Sequence, residues 1–121
     1  MQQGDTFLMG NPGGKTKHLW MILSDPLKHG GAFVIVNLTS PDVTHSTCML
    51  KFGEHPWLAY DSDVNFGDSL EITAEAANKI TVGINARIII PQVPLSMSVV
   101  QRIVVAAQLS PAFPRRLKIY L

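Results

Sequence analysis

Two of the four histidines lie where the chain could do acid–base chemistry near neutral pH. His18 follows Lys17 at the start of the apolar run "LWMIL", and His55 precedes Pro56 and Trp57 in "GEHPWL". An imidazole titrates near ~6.5 in model peptides, so it can take or give a proton at that pH. His18 is therefore predicted as a general acid or base, Lys17 as the charge beside it, and His55 as a second acid. The structural alternatives are a half-exposed ring that ends a strand and a rigid loop that folds Trp57 into the core.

Hydroxyl, basic and aromatic side chains supply the other groups of a candidate phosphate or RNA site. Thr39 and Ser40 follow the apolar run "AFVIVNL" and could donate hydroxyl and backbone N–H hydrogen bonds to a phosphate oxygen. Lys15 and Lys17, in the Gly-rich segment "GNPGGKTK", could attract an RNA backbone. Trp57 could stack on an unpaired base. The alternatives are a plain turn, because "TSPD" has good turn chemistry, and ordinary surface charge.

Composition favours a packed globular protein and disfavours several other classes. The chain has 121 residues, 46% of them hydrophobic and 16% charged, which predicts a single domain over residues 1–121. The formal charge of +1 gives no strong field, so nucleic-acid binding would need a local patch. Dispersed histidines and one cysteine, Cys48, predict neither a metal site nor a cofactor. We expect a cytoplasmic protein without a membrane partner, because no signal-like or membrane-length apolar run is present.

Turn-forming residues divide the chain into short strands followed by late helices. Apolar and β-branched runs predict strands at 6–9, 18–23, 32–38, 47–51 and 64–66. Short strands with tight connections favour a small, strongly bent sheet or barrel. Helix formers predict a short accessory helix near Thr73–Lys79. Ser96 is the predicted cap of a C-terminal helix with apolar residues at three- and four-residue spacing. The predicted fold class is mainly β, of the α+β type.

This order of elements resembles the PemK/MazF family of toxin endoribonucleases. The matching pieces are Gly4-Asp5 before the first strand, the loop rich in Gly and Lys, the adjacent strands "HLWMILS" and "VIVNLTS", Ser62 before a late strand, and a closing helix. The resemblance extends over the whole chain in topology, through short motifs. It implies a small SH3-like β-barrel that forms a homodimer, has an antitoxin protein as partner and cuts single-stranded RNA without a metal, leaving a 2′,3′-cyclic phosphate.

The family's usual catalytic pair is an arginine, followed by proline, at the start of the second strand, and a threonine or serine at the end of the third. By position these fall on His18 and on Thr39, with Ser40 beside it, so the family's Arg-Pro is replaced by His18-Leu19. Cleavage by the ribose 2′-hydroxyl needs a base, which a histidine can supply. The sequence thus predicts an endoribonuclease toxin. The alternative is a non-catalytic SH3-like barrel module that binds a protein or a nucleic acid.

Overall fold

The structure is a computed structural model that describes residues 1–10, 17–40 and 47–121. Within these residues a six-stranded antiparallel sheet, in the order β4-β5-β3-β2-β1-β6, curls into a half-barrel with helices packed on it. The mainly β, α+β prediction is confirmed, and the shape is consistent with a small SH3-like barrel. The strands are β1 (Thr6–Gly10), β2 (Lys17–Ile22), β3 (Phe33–Thr39), β4 (Met49–Leu50), β5 (Ser62–Ile72) and β6 (Ile90–Gln92); the α-helices are α1 (Ala74–Asn85) and α2 (Met97–Leu109), and 3₁₀ helices span Pro26–Lys28 and Arg115–Tyr120.

The apolar core lies on both faces of the sheet. Residues 19–23 of β2 and its extension and residues 33–38 of β3 are all buried, as their unbroken apolar runs predict. Successive side chains alternate between the faces. Trp20 packs with Ile80 of α1, on the side that we call the α1 face. Met21 packs with Ile103 of α2, on the opposite side, the α2 face.

The second half of the chain differs from the sequence prediction in two strands. The late strand predicted at 64–66 runs from Ser62 to Ile72, and a register shift between Ile35 and Asn37 of β3 accommodates its polar middle. The short strand β6 was not predicted. Its Pro91 is tolerated because β6 pairs with β1 alone, so the missing N–H removes no second ladder.

Both helices begin at a hydroxyl side chain. Thr73 accepts a hydrogen bond from the Ala76 N–H, and Ser96 accepts one from the Val99 N–H. These bonds satisfy backbone donors that a first helical turn leaves unpaired. The predicted C-terminal helix and its Ser96 cap are confirmed, and the accessory helix is longer than predicted because its apolar pattern continues to Ile84.

Helix α1 ends in a Schellman motif with an arginine in the left-handed position. The Ile88 N–H donates to the Gly83 carbonyl (2.9 Å), and the Arg87 N–H donates to the Ile84 carbonyl (3.0 Å). Arg87 has a φ of 61°, which is unfavourable for a residue with a Cβ atom. Glycine is the usual residue at this position, so Arg87 leaves α1 less stable than it could be.

Replacing Arg87 by glycine should therefore stabilise the protein. We expect Arg87→Gly to raise the free energy of unfolding by ~0.5–1 kcal/mol, because the left-handed backbone strain is relieved. Lys79→Gly, at an exposed position inside α1, is the control and should lower it by ~1 kcal/mol. Urea denaturation measures both. A loss of stability in Arg87→Gly would contradict this account of the helix end.

Candidate functional site

The pairing of β2 with β3 brings the strand ends that carry His18 and Thr39 to the same end of the sheet. Trp20 lies opposite Asn37, and the paired register ends at these two residues. His18 and Thr39 lie two residues further along their strands, on the same face as Trp20 and Asn37 by alternation. The two positions predicted as a catalytic pair therefore share one end and one face of the sheet.

A third polar residue continues the same line across the sheet. Thr39 lies opposite Asp63 of β5, and on the other side His18 lies opposite Met9 of β1. We call His18, Thr39 and Asp63 the polar row. Alternation puts the row on the α1 face, at the end of that core where Met9 packs. His18 is half-buried, Thr39 is exposed and Asp63 is buried, so the row opens to solvent at its centre.

Next to the polar row lies a second line of paired residues, Trp20, Asn37 and Asn65, which we call the inner row. Asn37 is 1% exposed, and its Oδ1 has no hydrogen-bond partner among the described residues. An unpaired buried polar group of this kind is uncommon and costs ~1–3 kcal/mol. The sequence analysis missed Asn37, although it is the one polar residue in the run "AFVIVNL".

The predicted phosphate-binding residues lie in different places. Lys17 is exposed at the start of β2, and alternation directs its side chain towards the face opposite that of His18. Ser40 is exposed and follows β3 directly. Lys15 lies outside the described residues. Among these three residues, Ser40 is adjacent in sequence to Thr39 of the polar row.

His55, predicted as a second acid, is buried on the α2 face and is 2% exposed. Its Nδ1 accepts a hydrogen bond from the Trp57 N–H (3.0 Å), so the ring proton is on Nε2. Nε2 donates to the Val93 carbonyl oxygen (2.7 Å) and lies 3.2 Å from the Thr6 hydroxyl. Thr6 is opposite Met21, a residue of the α2-face core. The sheet therefore separates the His55 ring from His18, and the structure does not bring the two imidazoles together.

The loop between β4 and β5, residues 51–61, presents three aromatic side chains to solvent. Trp57, predicted to stack on RNA bases, is 41% exposed and is not folded into the core. Phe52 and Tyr60 are 68% and 57% exposed. We call this segment the aromatic loop. The sequence analysis singled out Trp57 alone, although the run "FGEHPWLAY" shows all three aromatics close together.

An ion pair with α2 holds the aromatic loop in place. The Arg102 guanidinium donates to both carboxylate oxygens of Glu54 (2.7 and 2.6 Å) and to the Met49 carbonyl (3.1 Å). Glu54 also accepts the Lys51 N–H (2.7 Å). The hydrogen bond from Arg102 lowers the pKa of the Glu54 carboxyl below its ordinary value. Nearby, burial raises the pKa of the Cys48 thiol above its ordinary value.

Comparisons of the chain with protein-family models, curated proteins and solved structures found no match. In residues 1–10, 17–40 and 47–121, no group of three or more His, Cys, Asp or Glu side chains is placed to hold a metal ion. None of the helices in these ranges has the length and apolar character needed to cross a bilayer. The polar row and the aromatic loop are therefore the features from which we infer a function.

The structure predicts different roles for His18 and His55, and stability measurements can distinguish these roles. His55→Ala should lower the free energy of unfolding by ~2–4 kcal/mol, because it opens a cavity and leaves the Trp57 N–H unpaired. His18→Ala, at a half-buried strand end, is the control and should change it by less than ~1 kcal/mol. Chemical denaturation at pH 7 tests this. Equal effects of the two variants would contradict a buried structural role for His55.

The Glu54–Arg102 pair should make stability depend on pH. Because the pKa of Glu54 is lowered by folding, the carboxylate stabilises the protein above the ordinary glutamate pKa of ~4.3, and this contribution is lost as pH falls through the folded value. Glu54→Gln should cost about 1 kcal/mol at pH 7, since the pair is partly exposed, and progressively less in acid. Urea unfolding from pH 7 to 3 measures this. In an Arg102→Met background, the cost of Glu54→Gln should no longer vary with pH. A cost that still varied with pH would contradict the role of the Glu54–Arg102 pair.

Proposed function

We propose that the polar row is the cleavage centre of a metal-independent endoribonuclease that acts on single-stranded RNA. The observation that carries the proposal is the β2–β3 pairing, which brings His18 and Thr39 to the same end and the same face of the sheet. These are the two positions that the resemblance to PemK/MazF toxins implies. The same resemblance supports a cytoplasmic toxin that forms a homodimer and is paired with an antitoxin protein.

The chemistry assigned to His18 is that of a general base. Its neutral imidazole takes the proton of the ribose 2′-hydroxyl, and the 2′-oxygen then forms a bond to phosphorus as the bond to the 5′-oxygen breaks. The Thr39 hydroxyl donates a hydrogen bond to a non-bridging phosphate oxygen, where negative charge develops. The leaving 5′-oxygen takes a proton from solvent, because His55 is buried on the other face. The product carries a 2′,3′-cyclic phosphate.

The aromatic loop supports single-stranded RNA as the substrate. Unpaired bases stack on exposed aromatic rings, and each such contact is worth ~1–3 kcal/mol. Trp57, Phe52 and Tyr60 offer three rings, and their loop leads directly into β5, the strand that carries Asp63. Lys17 is exposed next to His18 in sequence, with its side chain directed to the opposite face, and is assigned together with Lys15 to a flanking phosphate of the RNA backbone.

A specific observation also favours the second candidate function, a non-catalytic module that binds RNA or a protein. Among the described residues the polar row contains a single imidazole, and the position of the family's arginine is occupied by that same residue, His18. A site without a second acid or a fixed cation is a weaker catalyst. The exposed rings of the aromatic loop would serve binding equally well without cleavage.

The proposal predicts that cleavage of RNA depends on the polar row and not on metal. Purified protein in EDTA should cut a long single-stranded RNA and leave cyclic phosphate ends. His18→Ala should reduce the rate by at least ~10²-fold, the usual size of a general-base contribution, and Thr39→Val should also reduce it. His29→Ala is the matched control, since His29 is likewise half-buried but contacts Tyr120 on another part of the surface.

Three results would argue against this assignment. Equal activity of wild type and His18→Ala would remove His18 from the reaction. Cleavage abolished by EDTA and restored by a divalent cation would refute the metal-free step. A folded, inhibitor-free wild type that binds single-stranded RNA without cutting it would favour the binding module.

A further inference from the structure

The buried amide of Asn37 is the polar group that the fold leaves unexplained. It lies in β3 between Trp20 and Asn65, is almost completely removed from solvent, and its Oδ1 has no partner among the described residues. An apolar side chain of the same size would avoid the cost of an unpaired carbonyl oxygen. The position therefore calls for a hydrogen-bond donor that reaches Asn37 in another state of the protein.

Each neighbour within the inner row donates one N–H to another acceptor, and the Asn65 amide keeps a second N–H. Trp20 Nε1 donates to the Met9 carbonyl (3.2 Å), and Asn65 Nδ2 donates to Asp68 (3.0 Å). Asp63, in the polar row, is a carboxylate and has no proton to give when ionised. Because the Trp20 N–H is already bonded and Asn65 makes no bond to Asn37 Oδ1, a further donor is sought one step along β2.

His18 is the diagonal neighbour of Asn37. Asn37 lies opposite Trp20, and His18 is two residues before Trp20 on the same face. Diagonal pairs on a sheet have separations of ~7–8 Å, which an aromatic ring can bridge. The His18 ring is half-buried, so it has room to turn towards the inner row. Hydrogen bonds in a catalytic site often tighten only when substrate is bound.

We propose that Asn37 is the positioning residue for His18, with Asn37 Oδ1 accepting the N–H of one ring nitrogen so that the other nitrogen faces the phosphate at Thr39. The catalytic part of this inference rests on the proposed function, whereas the bond itself does not. A neutral imidazole has one N–H donor and one acceptor nitrogen, and a fixed partner for the donor selects the tautomer. A neutral amide does this in a buried place where a carboxylate would be costly to desolvate.

Replacing Asn37 should affect stability and catalysis in different ways. Asn37→Leu removes the unpaired amide and keeps the number and branching of the side-chain heavy atoms, so the urea midpoint should stay the same or rise. The same change should lower kcat for RNA cleavage by ~10–100-fold with little change in KM, as loss of an orienting partner does. A residue that only supported the fold would show the opposite pattern, with lower stability and unchanged kcat per folded molecule.

The experiment that tests the bond is NMR of the His18 ring in protein labelled with ¹⁵N-histidine. Wild type, Asn37→Leu, Asn37→Asp and the exposed control Asn78→Leu are titrated with a non-cleavable 2′-deoxy oligonucleotide present. In wild type the neutral ring should hold one tautomer, and in Asn37→Leu it should become a mixture. In Asn37→Asp the midpoint of the His18 titration should move upward by about one pH unit, because a carboxylate then faces the ring. Asp63, the other acid in the row, and Lys17, next to His18, are unchanged in every variant.

The possible results distinguish failure of the Asn37–His18 bond from failure of the proposed ribonuclease activity. If neither Asn37 variant alters the His18 signals relative to Asn78→Leu, the bond does not exist and the inference is overturned, whatever the RNA assay shows. If the signals change as expected but wild type cuts no RNA, the bond is supported and the proposed ribonuclease activity fails. Should Asn37→Asp not fold, the tautomer change in Asn37→Leu decides the matter alone.

Discussion

The register between β2 and β3 is the constraint on which the rest of the structure depends. Both strands are buried on both faces, so a slip by one residue would exchange the α1-face and α2-face side chains of each strand. Trp20 and Met21 differ in size and fit different helices, and such an exchange would disrupt both cores. The pairing of Trp20 with Asn37 is therefore fixed by packing. The position of His18 and Thr39 at the same end of the sheet follows from this pairing.

Burial on both faces also determines where polar chemistry can occur. The middle of β2 and β3 has no place for a charged group, so the candidate site lies where the strands end and the core of the α1 face stops. Asn37 is the exception, a polar residue kept inside the apolar part of β3. Its position next to the strand end, and not in the centre of the core, is what connects it with the polar row.

Elements with a strong local signal were predicted from the sequence, and elements that depend on pairing with distant residues were not. Strands β2 and β3 and helix α2 were predicted well, because a long apolar run or stripe and a hydroxyl cap each give a local signal. The full extent of β5 was not predicted, because its "GDS" segment is accommodated by an irregular pairing with β3 that local sequence does not encode. Strand β6 contains Pro91 and depends on pairing with β1, which is far away in sequence.

The candidate site shows the same division. His18 and Thr39 were predicted from strand ends, which local patterns locate, and the antiparallel pairing of β2 with β3 brings these ends to the same end of the sheet. The place of His55 depends on Thr6 and Val93, which are 49 and 38 residues away along the chain. No pattern around "GEHPWL" distinguishes a buried ring from an exposed one. A histidine next to proline and tryptophan is equally compatible with a catalytic role and with a structural role.

Two histidines of the same chain thus differ in what their surroundings permit. The ring of His55 has a partner on each nitrogen, and its tautomer is set by groups that also join the aromatic loop to β1 and to the segment after β6. His18 is the diagonal neighbour of Asn37, whose buried carbonyl oxygen has no partner among the described residues. A fully bonded imidazole stabilises a fold because nothing about it needs to change. An imidazole that must accept and release a proton needs one nitrogen held and the other left open, and in the described part of this chain the His18–Asn37 pair is where that arrangement can form.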